Sequence, residues 1–156
     1  MSIHGSRTSF LEAGGFDAQT LSGLKLVSAS KGFIQCELDV AHQHLVNRLG
    51  GCHGGLLSTI VDIGGSLAIA AENMHATGVS TDLNVSFVSG AKLGDKLIIA
   101  SPSFNSRCDK IGGTLAYTTV EITANGKVVV LGRHTKYVRL AHLSNAELKQ
   151  RISTEE

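Results

Sequence analysis

Asp62 is the only ionisable side chain in the apolar, glycine-punctuated run from Gly54 to Ala71. Leaving an ion unpaired in such surroundings costs on the order of several kcal/mol, so the carboxylate needs a partner, a proton or a task. Just upstream, Asn47-Arg48-Leu49-Gly50-Gly51-Cys52-His53-Gly54-Gly55 offers main-chain amides with few bulky side chains. Such a stretch suits the grip of a small anionic oxygen where a helix begins. A buried carboxylate beside an oxyanion grip is equipment for acyl chemistry.

Blander readings exist for each residue. Asp62 could be a core aspartate hydrogen-bonded to Ser58 or Ser66 on its own helix face. The His53 imidazole reads as a group that orients the loop rather than as a base. A Cys52–His53 nucleophile pair is disfavoured, because adjacent side chains seldom face each other. His42 and His44 lie two residues apart without a third ligand nearby, and read as solvated loop residues rather than metal ligands. Lys92, Lys96, Arg107, Lys110, Arg133, Lys136 and Arg139 read mostly as solvated charge, a few of them able to hold a phosphorylated substrate tail.

The elements that must carry these residues follow from periodicity. Leu24 to Ser30 and Phe33 to Val40, split by Lys31-Gly32, predict a hairpin, its second strand alternating apolar and polar positions. A long helix is expected from about His53 to Asn73. On it Gly55, Ser58, Thr59, Asp62, Gly65, Ser66 and Ile69 share one small, weakly polar face, opposite Leu57, Ile60, Gly64, Leu67 and Ala71. Glycines inside a helix cost roughly 1 kcal/mol each, which suggests close packing against another backbone, at an interface or a narrow cleft. Strands are expected over Val79 to Val88, Leu97 to Phe104, Thr114 to Thr123 and Val128 to Leu140, the last pair joined by a tight Asn125-Gly126 turn. Ser144 to Glu147 has capping-box spacing and predicts a short terminal helix. The order predicts an α+β fold, a curved antiparallel sheet wrapped round one long central helix. The divisions expected are a lead-in over 1–22, a domain over 23–142 and a helix or tail over 143–156.

At 156 residues with 42% hydrophobic and 17% charged side chains, the chain has the make-up of one folded domain. A net charge of +1 is too small for a protein that binds nucleic acid by neutralising phosphates. Cys36, Cys52 and Cys108 form neither a disulfide framework nor a zinc motif and fit a reducing compartment, so no metal is expected. The apolar run is broken by Asp62, so no membrane span is expected, and no secretory h-region is present. The cytoplasm is the expected location, with a short mitochondrial presequence around His4 to Ser9 as the alternative.

The stretch Asn47 to Gly55 followed by Asp62 resembles the Asn…Gly…HGG…Asp signature of PaaI-like hotdog-fold acyl-CoA thioesterases. Gly78 to Phe87, Ala91-Lys92-Leu93-Gly94-Asp95 and Gly132-Arg133-His134-Thr135-Lys136 resemble further segments of that family, in the same order. The resemblance, from about Gly23 to Arg139, implies a hotdog fold that dimerises through its sheet and often pairs again as a tetramer. It implies that Asn47 and the Gly54 amide polarise the thioester carbonyl. Asp62 would activate water or attack directly, and Ser80 would position the water. Coenzyme A, part of the substrate rather than a cofactor, would run past His53, then Phe87, Val88, Ser89, Gly90, Ala91 and Lys92. It would continue along Gly112, Gly113, Thr114 and Leu115 to Tyr137. The chain departs from the family pattern in extra residues over Ser103 to Ile111 and in Tyr137, where a histidine is usual.

Helix geometry adds an independent constraint. Gly54 and Asp62 are separated by ~12 Å along one axis, so one small carbonyl cannot touch both in a single chain. Two antiparallel helices packed through the glycine face would bring Gly54 of one subunit beside Asp62 of the other, making the dimer the catalytic unit. The alternatives are a non-catalytic acyl-CoA or fatty-acid binding protein, and a 3-hydroxyacyl-thioester dehydratase with a histidine base.

Overall fold

The computed structural model describes residues 15–44, 47–74, 76–99, 106–141, 143 and 150. A short helix α1 (Phe16–Thr20) leads into β1 (Lys25–Ser30) and β2 (Phe33–Asp39), followed by the long helix α2 (Gly54–Ala70). Five strands then follow: β3 (Val79–Phe87), β4 (Lys96–Ile99), β5 (Ser106–Ile111), β6 (Leu115–Ala124) and β7 (Lys127–Tyr137). They form one sheet in the order β1-β2-β4-β6-β7-β3, with β5 bridging β2 and β6. Every pairing is antiparallel.

The His53 side chain caps α2, its Nδ1 accepting from the Gly55 amide, and the chain leaves the helix through Asn73 in the left-handed region (φ 64°). The apolar stripe of α2 beds on the inner rows of β6 and β7. Leu57, Ile60, Val61 and Leu67 meet Val120, Ile122 and Val130 in one core with Leu38 and Leu97 of the first strands. Asn125 and Gly126 both adopt positive φ (52° and 74°), turning β6 into β7 as the sequence predicts.

The expected α+β arrangement is the one found, with three differences. The sequence predicts six strands, and the described residues hold seven. β5 falls within the extra residues of Ser103 to Ile111 and has no strand signal, because Ser106-Arg107-Cys108-Asp109-Lys110-Ile111 has no apolar alternation and is bulged between Cys108 and Lys110. The expected strand to Phe104 runs in β4 only through Ile99, and its remainder lies outside the described residues, as do the presequence region and the capping box at Ser144 to Glu147. Finally, Gly65, Ser66 and Ile69 do not face outward with Asp62: all three are buried against their own sheet.

Among the described residues strand β3 pairs only with β7 and forms one edge of the sheet. Eight of its nine residues are exposed, Leu83 and Phe87 among them, which makes a long edge open to pairing with another strand. No helix among the described residues is long and apolar enough to cross a membrane.

Candidate active site

The loop before α2 is built by Asn47. Its side-chain Oδ1 accepts from the Leu49 and Gly51 amides, both at 2.9 Å, and its main chain exchanges bonds with Gly50 and Gly51. With Oδ1 occupied by the loop, the amide's Nδ2 is left as a donor at the surface. A bond from the Cys52 amide to the Ala91 carbonyl (2.8 Å) ties this loop to the segment after β3. Because the Gly55 amide bonds to His53 Nδ1 at 2.9 Å, the Gly54 N–H is left at the helix start with no acceptor among the described residues. The ring of Phe87 lies over Gly54, with Cζ 3.3 Å from where a Cβ would stand. Asn47 Nδ2 in the loop and Gly54 N–H at the positive helix end are thus two donors left without acceptors among the described residues. Cys52 is buried, and burial pushes its thiol up to about 11, so it is no nucleophile at neutral pH.

Two turns along α2, Asp62 faces the inner side of β7 and the start of β3. Its Oδ1 is approached by three groups: Ser80 Oγ, donating at 3.5 Å, His134 Nε2 at 3.4 Å and Lys136 Nζ at 3.7 Å. Among the described residues Oδ2 has no partner. The side chain is 40% exposed in the single chain, so the carboxylate is only half-buried rather than enclosed. His134 is buried, with Nε2 2.8 Å from Ser80 Oγ and Nδ1 unpartnered. An orphaned lone pair costs less than an orphaned N–H, which assigns the ring proton to Nε2. Burial first, and then the Lys136 charge, hold His134 below the usual histidine range, so the ring is neutral at pH 7. A side chain at Gly65 would stand 2.9 Å from His134 Nδ1 and 2.5 Å from Thr118 Oγ1, which is why the helix carries glycine there.

The structure brings Asn47, His53, Gly54 and the Phe87–Lys92 segment together at one end of the sheet, and Asp62 with Ser80 further along. Gly112, Gly113, Thr114 and Leu115 form the turn into β6, where Leu115 pairs with Tyr137. That group lies at the other end: Phe87 pairs with Val130, seven residues along β7 from Tyr137, or roughly 23 Å away. In one chain the two proposed coenzyme A segments do not meet.

Two readings need correction. Lys136 is no solvated charge: it is buried beside Asp62, with Nζ donating to Ser66 Oγ at 2.7 Å. Nor is His44 a solvated loop residue. It is buried, its Nδ1 accepting from the Ala41 amide at 3.1 Å. The sequence places His134 only within the expected strand Val128 to Leu140. A signal for both β7 residues exists in the sequence: alternation along Val130, Gly132, His134, Lys136 and Val138 puts two polar side chains in an otherwise inward row.

The thioesterase superfamily profile matches residues 49–131. The chain is 39% identical over 122 residues to human acyl-coenzyme A thioesterase 13, covering 77% of this chain and 83% of that protein. Among solved structures it is similar to zebrafish thioesterase superfamily member 2, with a TM-score of 0.77, 35% identity and coverage of 88% of this chain and 98% of that one. It is also similar to a Streptococcus mutans protein bound to acetyl CoA, with a TM-score of 0.66, 25% identity and coverage of 73% and 86%.

Proposed function

The chain belongs to the thioesterase superfamily, and from that premise we propose that it hydrolyses acyl-CoA thioesters at a site shared by two subunits. The observation that carries the reading is the arrangement at Asp62, where three groups converge on Oδ1 and leave Oδ2 bare. Oδ2 takes the proton from a water molecule, which attacks the thioester carbon. Asn47 Nδ2 and Gly54 N–H accept the growing negative charge on the carbonyl oxygen, as oxyanion donors do. Collapse of the tetrahedral intermediate breaks the C–S bond. The CoA thiolate leaves and takes up the proton held by Asp62, so the free acid and CoA thiol are the products and the carboxylate is restored. Ser80, fixed by His134, holds the water beside Asp62. No cofactor is required, since coenzyme A is part of the substrate.

The shared site is supported by register. Asp62 lies level with Ser80, and Gly54 level with Phe87, so α2 and β3 run antiparallel. A two-fold axis near Leu83 that pairs two β3 edges would set Asp62 of one subunit near Gly54 of the other, and would cover the exposed strand. It would also carry one subunit's Tyr137 end toward the other's Phe87–Lys92 segment. The dimer is the proposed unit, and a tetramer of two such dimers its assembly. A dehydratase would need a histidine base at the substrate carbon, whereas His53 caps the helix beside the oxyanion donors with Nδ1 engaged by the Gly55 amide, and His134 is buried with Nε2 engaged by Ser80.

The test is incubation of the pure protein with a panel of acyl-CoA thioesters and a thiol reagent. Release of free CoA is expected. An enoyl product, or tight binding without turnover, overturns the proposal.

A further inference from the structure

Lys136 is a buried charge beside Asp62 that the reaction above leaves without a role. It follows His134 by two residues on β7, so both side chains leave the same face of the strand toward α2. Its Nζ donates to Ser66 Oγ at 2.7 Å and stands 3.7 Å from Asp62 Oδ1. Ser66 lies four residues after Asp62, one turn on along the same helix face. A cation tied to one turn of a helix therefore leans on the carboxylate of the turn before it.

We propose that Lys136 is a positioning residue: anchored by Ser66, its ammonium holds the Asp62 carboxylate with Oδ1 turned inward, so that Oδ2 faces the reacting water. The inference rests on the assignment of Asp62 as the base.

The surroundings agree. Burial pushes the Lys136 ammonium below its ordinary range and Asp62 pulls it only part of the way back. The fold thus carries a cation whose desolvation outweighs its pairing, where a purely structural position would be served as well by an apolar side chain of similar length. The same cation helps keep His134 neutral. Other titratable groups also act here. Asp17 of α1 feels both Asp62 and Lys136, and its carboxyl is raised by burial and then by Asp62. Asp82 of β3 pulls His134 upward. From β5 and β6 the neutral Ser106, Thr118 and Val120 face the helix. Lys136 is therefore the cation that opposes Asp17 at this carboxylate.

The test compares Lys136→Met, Ser66→Ala and Asp62→Asn with the wild type, measuring kcat, KM and the melting temperature. In Lys136→Met kcat should fall about 10–100-fold through misplacement of the base, with KM nearly unchanged. Its melting temperature should stay level or rise, which a merely structural lysine would not allow. Ser66→Ala keeps the charge and removes its anchor, so its kcat should fall less, again with KM nearly unchanged. An unchanged kcat in both variants, an effect confined to KM, or a loss of kcat that only tracks a loss of stability, overturns the role of Lys136. If Asp62→Asn keeps normal turnover, the catalytic assignment itself is overturned, and this inference with it.

Discussion

Asp62 and Asn47 divide the proposed chemistry between a base and an oxyanion donor, and their substitutions should differ in kind. Asp62→Asn should lose at least about 100-fold in kcat while remaining folded, because an amide cannot accept the water's proton. Free CoA release measured beside a circular dichroism spectrum checks this, and near-normal turnover in a folded variant would exclude Asp62 as the base. Asn47→Ala should cost roughly 10–1000-fold, chiefly in kcat; an effect confined to KM would mark Asn47 as a binding contact. His134 should show itself through stability. Because burial and then Lys136 lower its folded value, the unfolded chain takes up this proton at a higher pH than the folded one. Its contribution is therefore whole above about pH 6.5 and is lost as pH falls toward the lowered folded value. Urea midpoints should drop more between about pH 7.5 and about pH 5.5 in the wild type than in His134→Gln. Equal drops would mean that other groups set the pH dependence.

The central helix works as a ruler laid across the sheet. It sets the ~12 Å between donors and base, and the glycine at 65 sets how closely it lies on β6 and β7. Gly65→Ala tests that closeness. Alanine gains up to about 1 kcal/mol in helix propensity, but the added methyl meets Thr118 Oγ1 and His134 Nδ1 at 2.5 and 2.9 Å. Overpacking of this kind costs about 1–3 kcal/mol, so a net loss of stability is expected in thermal unfolding. The displacement of His134 should lower kcat as well. A variant more stable than the wild type, with full activity, would show that the helix can lift away without consequence for the site.

For the whole molecule, the proposed two-fold assembly rests on the open edge of β3 and the spacing on α2. Mixed dimers formed by refolding Asp62→Asn together with Asn47→Ala should contain one doubly damaged site and one intact site. With random pairing, half the dimers are mixed, so about a quarter of wild-type sites should return. Verified mixed dimers with no activity above the two parents would confine each site to one chain.

Much of this was readable from residue order alone, since the strongest signals are local. The Asn47 to Gly55 loop, the solitary Asp62 and the helix around it follow from composition and 3.6-residue periodicity, and the Asn125-Gly126 turn from its own backbone preference. The order of strands about one helix was enough for the fold class, while β5 escaped because its apolar positions do not alternate. Tertiary structure alone decided which partners the carboxylate has. Lys136 is 74 residues beyond Asp62 in the chain, and although the alternation along β7 marks it as inward, nothing local says which group it meets. Only the antiparallel register of β7 on β3, laid beneath α2, turns that side chain inward and brings Ser66, Ser80 and His134 to the same few ångström. Local sequence sets what each residue can do, but the protonation and aim of a charged group depend on neighbours that long-range pairing supplies.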